Sequence, residues 1–306
     1  MGGAEQCPWC KAPRATGPTC PRCGANYAKA EQIKAQGRAE EQPIVEKPVA
    51  AVIAGPEHRV VDDPVFEYRA SIVAIPAALG LGVLFHMMTP GLQRIFFGMP
   101  VHELGHALSA WLCGYFAIPT LWKTLVFSES RGVVWPLLIA GGLVYLAWRA
   151  WQAEKMGYVA LVVALLVLQG IGTLGISEEH AEMLFTFGGD GMGMVLAALL
   201  MASFFFGKRT ELYKGWLRWG LLAIGAAAFA DMFATWWIAQ YNADVIPFGE
   251  NEGSGMSDPL KLLEDYGWPT ATIVRRYVIV GVASLAGLAG VYAWGVMRAR
   301  RMVRAP

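Results

Sequence analysis

Long stretches of this chain carry no charge at all. Between Arg69 and Arg94 lie 24 residues without Asp, Glu, Lys or Arg, another 22 separate Lys155 from Glu178, and Tyr277 to Met297 adds 21 more. A helix needs about 20 apolar residues to cross the roughly 30 Å hydrocarbon core of a bilayer, so each of these runs predicts a membrane span. Trp219 to Ala243 is interrupted only by Asp231, and Gly132–Trp148 and Gly191–Gly207, at 17 residues each, sit at the short end of the range. Composition agrees: 55% of residues are hydrophobic and 16% charged, against about 25% charged in soluble domains, and the mean hydropathy is +0.40. The expected fold is an all-α polytopic membrane helix bundle of six or seven spans in the lipid bilayer. The segments fall at about 70–89, 93–116, 133–150, 157–176, 191–207, 217–240 and 276–297.

The first residues follow a different rule. Cys7, Cys10, Cys20 and Cys23 form C-P-W-C, nine intervening residues and C-P-R-C, followed by Gly24. Two C-x-x-C knuckles present four thiolates for a closed tetrahedral zinc site, in which the metal supplies the folding energy. The alternative is two disulfides, which requires export, and no signal peptide precedes the first apolar run. The arrangement resembles short zinc ribbons, implying one structural Zn²⁺ and a protein partner or state-sensing role, because four thiolates leave no open metal position. The expected organisation is a ribbon at 1–24, a tether at 25–66 punctuated by Pro43, Pro48, Pro56 and Pro64, and a membrane domain at 67–306 with its core at 93–207. A net charge of +1 gives no field for nucleic acid.

Positive residues accumulate on the cytoplasmic side of membrane proteins. Arg298, Arg300, Arg301 and Arg304, the Lys208–Arg218 loop, and Arg149 with Lys155 all belong there, whereas Asn242–Trp268 carries six acidic residues against one lysine and belongs outside. Reduced ribbon thiols put the N-terminus inside with the C-terminus. Seven crossings are incompatible with that, so one segment does not cross. The candidate is 93–116, which contains Pro100 and three ionisable side chains near its middle. Broken helices are tolerated where they line a protein cavity.

That segment reads F-G-M-P-V-H-E-L-G-H-A-L-S-A-W. His102 and His106, four apart, share one helix face. They are placed to bind one Zn²⁺, with Glu103 beside the metal as the proton shuttle for water and leaving amine. Two histidines and a glutamate in an apolar stretch are costly unless coordinated, paired or facing water, so a functional site is the expectation.

His102, Glu103, Gly105 and His106 match the H-E-x-G-H helix of the site-2 protease family of intramembrane metalloproteases, which the chain resembles over about 93–207. The resemblance implies zinc-dependent cleavage of transmembrane-protein substrates, with Glu103 catalytic and an Asp-Gly pair on a later helix giving the third ligand. Asp190-Gly191, 84 residues after His106, is the match. The family's Asn-Pro shortly before that pair has no counterpart, since the asparagines are Asn26, Asn242 and Asn251. From the residues alone, Glu178, Glu179, His180 and Glu182 are rivals for the third ligand or form a solvated turn. Asp231 is another rival for the third ligand, or a candidate to polarise a ligand histidine from behind. T-L-W-K-T-L-V-F-S-E-S-R-G-V-V-W alternates and is expected to turn near Ser128–Gly132, as a hairpin or a surface loop. Site-2 proteases use such a strand to hold substrate. The tryptophans at 148, 151, 216, 219, 236, 237 and 268 read as an interfacial belt. Outside the protease reading stand an inactive membrane scaffold and a metal sensor or transporter using the same His, Glu and Asp cluster.

Overall fold

A computed structural model describes residues 6–40, 63–127, 131–206, 216–251 and 255–304. The chain divides into two compact units, Met1–Arg59 and Val60–Pro306.

In the first unit the two cysteine knuckles have the same geometry. Cys7 N–H donates to the Ala12 carbonyl and Cys20 N–H to that of Ala25, while Lys11 and Gly24 close back on the Cys7 and Cys20 carbonyls. Lys11 and Gly24 both adopt positive φ, at 62° and 71°. Glycine takes that conformation freely, whereas Lys11 takes it at a cost of about 1 kcal/mol. Helix α1 (Tyr27–Glu40) occupies the front of the expected tether. Tyr27 is buried against Cys7 and Cys20, so the packed unit continues past Gly24. The rest of the tether, 41–62, lies outside the described residues.

The second unit is helical, and six of its helices are long and apolar enough to cross a membrane among the described residues. They are α2 (Pro64–Met88), α4 (Val134–Gln152), α5 (Met156–Gly170, continued by a π-helical turn to Gly175), α6 (Glu178–Ala202), α7 (Leu217–Ile238) and α9 (Thr270–Arg304). Between α2 and α4 come a short turn (Pro90–Gln93), a π-helical turn (Arg94–Gly98) and α3 (Met99–Leu112). Their stretch is not among the helices long and apolar enough to cross a membrane.

Half or more of the apolar windows of α6 and α7 is buried, against none for α4. Hence α6 and α7 form the centre, with α3 along α6, α2 along α7, and α9 across α6 and α2. Helices α4 and α5 pack chiefly on each other and leave most of their apolar windows exposed. A hairpin of β1 (Ala117–Pro119) and β2 (Thr124–Val126) pairs Ala117 with Val126. It turns over Thr120–Lys123, earlier than the expected Ser128–Gly132, because Thr120 Oγ1 and the Lys123 backbone close the turn. Residues 128–130 lie outside the described set. Between α7 and α9 a second small hairpin, β3 (Glu250–Asn251) with β4 (Gly255–Met256), leads into α8 (Asp258–Glu264).

Two sequence expectations change in packing. Helix α6 begins at Glu178, with Ser177 capping it through His180 N–H, so Glu178, Glu179, His180 and Glu182 occupy its first turns instead of an interhelical turn. Asp190 therefore lies inside a helix, not at its head. Trp236 and Trp268 are core residues, Trp236 completely buried, whereas Trp148, Trp151, Trp216 and Trp237 remain exposed as a belt requires.

Candidate metal centre

The H-E-L-G-H helix can reach α6 because small residues face each other across the contact. A Cβ on Gly105 would stand 2.5 Å from the Gly188 carbonyl oxygen, so the two backbones approach as only glycine permits. Gly189 faces the histidines: a Cβ there would lie 2.5 Å from His102 Cε1 and 2.6 Å from His106 Nε2. The G-G-D-G run thus lets α6 pass directly behind the imidazoles.

His106 Nδ1 stands 2.7 Å from the Phe185 carbonyl oxygen. A carbonyl only accepts, so Nδ1 carries the proton and Nε2 presents a bare lone pair. His102 Nδ1 lies 2.7 Å from an Asp190 carboxylate oxygen and 3.4 Å from the Arg94 guanidinium. The nearer carboxylate, which only accepts, fixes the same tautomer there. The two Nε2 atoms are 3.0 Å apart, and one carboxylate oxygen of Asp258 stands 3.1 Å from that of His102 and 2.9 Å from that of His106. Three lone pairs converging at such distances repel unless a cation lies among them. A proton serves one pair of these atoms; a metal ion serves all three. The spacing approaches that of ligand atoms on one ion with bonds of about 2.0–2.2 Å, and His102, His106 and Asp258 form a group able to hold a metal.

Asp258 sits at the start of α8 behind Ser257, outside the spanning helices. Burial alone would raise its carboxyl pKa, but His106 and His102 beside it hold it well below the ordinary carboxylate range. Sequence reasoning counted it only as part of the loop's negative charge. Ser-Asp-Pro marked a helix start, and nothing local marked a ligand.

Asp190, the expected third ligand, lies on the other nitrogen of His102. Its second oxygen accepts from Trp236 Nε1 at 2.7 Å, and Arg94 bridges Asp190 and Asp231 at 3.1 Å each. The carboxylate thus orients a ligand histidine, the role the sequence suggested for Asp231, which stands one step further back with His86 Nδ1 at 3.7 Å. In the sequence Arg94 is a charge at the edge of a membrane segment, and nothing local marks it as the partner of two carboxylates. The other rivals are drawn elsewhere: His180 Nδ1 pairs with Ser177 Oγ, and Glu178 accepts from the Arg131 backbone N–H.

Glu103 is buried, and Thr124 of β2 donates its hydroxyl to a Glu103 carboxylate oxygen at 2.9 Å and to its backbone oxygen at 2.7 Å. Beside the histidines opens a cavity of about 390 Å³ that Glu103, Thr124, Trp122, Lys261 and Tyr277 help to line. The site therefore has three side chains able to hold a metal, a carboxylate that is not one of them, and a cavity beside them.

In the first unit, Cys7 and Cys23 sulfurs are 3.8 Å apart and those of Cys10 and Cys20 3.7 Å. That is far beyond a disulfide bond of about 2.05 Å and matches the edge of a tetrahedron with metal–sulfur bonds of about 2.3 Å. Backbone N–H groups of Cys23 and Arg22 hold the Cys20 thiol down at about 6, favouring the thiolate a metal takes. A 1–59 fragment is expected to carry about one zinc ion by metal analysis, lost when Cys7→Ser and Cys10→Ser are combined. Full retention would remove the cysteine site.

No protein-family model matches this chain, and neither a curated protein nor a solved structure shows significant similarity to it.

Proposed function

We propose that the chain is a zinc-dependent membrane endopeptidase that hydrolyses peptide bonds of membrane-protein substrates, a reading in line with its resemblance to site-2 proteases. The observation that carries it is Glu103: a buried carboxylate beside three convergent ligands, held by Thr124 and not spent on the metal group. A structural metal site needs no such base. His102, His106 and Asp258 would hold a zinc ion with two imidazoles and one carboxylate, a donor set of catalytic zinc sites. Zinc bound there supplies Lewis acidity, which makes water a nucleophile near neutral pH and polarises the scissile carbonyl.

The chain's own residues do the rest. Glu103 accepts the proton from water and passes it to the departing amine nitrogen, and Thr124 fixes the carboxylate for both transfers. Asp190 keeps the Nδ1 proton of His102 in place, so its Nε2 remains available. Thr124 and Val126 put β2 along the cavity wall. A transmembrane helix must unwind before its peptide bonds are reachable, and the side of β2 away from β1 can take up the freed backbone hydrogen bonds as an added strand. The cysteine unit would hold a structural zinc and recruit a protein partner.

The test is cleavage by the purified full chain of a transmembrane peptide containing a helix-destabilising pair. Cleavage is expected to stop on chelation and to return with zinc. Cleavage indifferent to chelator, or none of any membrane peptide, overturns the reading in favour of a scaffold or transporter.

A further inference from the structure

The six spanning helices have a consistent polarity. Near the starts of α2 and α7, Glu67 and Arg218 form a buried two-pronged ion pair at 2.9 and 3.0 Å. Late in α9, the Tyr292 hydroxyl donates to the Ile72 carbonyl near the start of α2, and Trp294 stacks on Phe206 just after α6. These ends share one face of the bundle. On the opposite face, Arg131 before α4 binds the Thr173 and Ser177 carbonyls after α5, and Thr173 binds that of Leu112 at the end of α3. Tyr277, early in α9, stacks on Trp236 near the end of α7. Helix α3 therefore ends on this second face, and the stretch from Met88 to Val134 enters and leaves by it.

The metal cavity belongs to the second face. Trp122 and Lys123 of the first hairpin turn, with Pro247, Gly255 and Lys261 from the α7–α9 connection, line it together with the histidines. His102 is ten residues before the end of α3, Asp231 seven before the end of α7 and Tyr277 seven after the start of α9. At 1.5 Å per residue these place His102 and the groups packed behind it about 10–15 Å from the helix ends on that face, within the nearer half of a roughly 30 Å core.

Charge gives the face its side. Arg149, Lys155, Arg298, Arg300, Arg301 and Arg304 all flank the first face, and the acidic Asn242–Trp268 connection lies on the second. The second face carries five basic residues among those described, Lys123, Arg131, Lys261, Arg275 and Arg276, the last stacked on Trp268 at 3.8 Å, against eight on the first once Arg69 and Arg218 near the starts of α2 and α7 are added. The positive-inside rule makes the first face cytoplasmic.

We infer that the metal cavity opens to the non-cytoplasmic side, and that its substrate is a membrane segment engaged in the half of the bilayer next to that side. The substrate half of this inference rests on the peptidase reading; the orientation does not. With α8 and the first hairpin at the mouth, a segment reaches the metal from its non-cytoplasmic end, and the product released to water leaves on that side.

Two measurements on the full chain test it. In a Cys113→Ala background, with the labelled residue identified by peptide mass spectrometry so that Cys7, Cys10, Cys20 and Cys23 are told apart, Gly249→Cys in the α7–α9 connection is expected to react with a membrane-impermeant maleimide in intact cells, and Val303→Cys near the end of α9 only after lysis. The reverse pattern overturns the orientation. Single-span reporters with a helix-destabilising pair near one end or the other then test the substrate. Cleavage is expected only with the pair near the non-cytoplasmic end, at a bond mass spectrometry places in that half. Cleavage only of the opposite reporter overturns the substrate inference while the peptidase stands. If neither is cut but the labelling holds, the peptidase reading and its substrate fail and the orientation stands.

Discussion

Glu103→Gln is expected to leave the fold and the bound metal intact and to abolish measurable peptide hydrolysis. The substitution is isosteric and removes only the ability to take and return a proton. General acid–base catalysis typically contributes about 10² to 10⁴ in rate, and a residue serving both transfers should account for at least that much. Thr124 can still donate its hydroxyl to the amide oxygen, so the side chain has no reason to leave its place. Metal content by elemental analysis and cleavage of the destabilised transmembrane peptide are the two readouts. Near-normal cleavage by Glu103→Gln would falsify the mechanism, and loss of metal would make Glu103 a ligand.

The second large effect separates the two aspartates. Asp258→Asn is expected to empty the site at ordinary zinc concentrations, because its oxygen is one of three atoms converging within 2.9–3.1 Å. Asp190→Asn is expected to weaken metal binding by about 10- to 100-fold, the usual cost of losing the partner behind a ligand histidine. Metal retention after graded dialysis against a chelator distinguishes them, with α-helical circular dichroism as the control for folding. The order Asp258 before Asp190 is the decisive result. Should Asp190→Asn strip the metal while Asp258→Asn keeps it, the third ligand would be the one the Asp-Gly match implied.

Asp190 also shows how far reading along the chain can go. Its importance was legible, since an ionised carboxylate in a helix flanked by apolar residues needs a partner. Its role was not. Whether a carboxylate meets Nε2 or Nδ1 of His102 depends on where α6 passes relative to α3, which Gly105, Gly188 and Gly189 set by how closely they let the backbones approach. Trp236 is a similar case: near a helix end it looks like an interfacial residue, yet α9 covers it and Tyr277 stacks on it at 4.0 Å. Arg94 completes the group, for two buried carboxylates on different helices need one cation between them.

The sequence by itself determined the features that depend on local spacing. Uncharged runs long enough to span a bilayer, an i, i+4 histidine pair with its glutamate, and two C-x-x-C knuckles each impose their chemistry within a few turns of chain. Their ranges recur in the structure as spanning helices and as two groups able to hold a metal. Only the tertiary structure decided which acidic residue joins the histidines. Asp258 lies 152 residues after His106 in the chain, on a short helix outside the membrane spans. It reaches the site because α7 and α9 bring the segment between them over α3 and α6. No residue-to-residue spacing encodes that approach; it follows from how the helices bury their small and aromatic faces against one another.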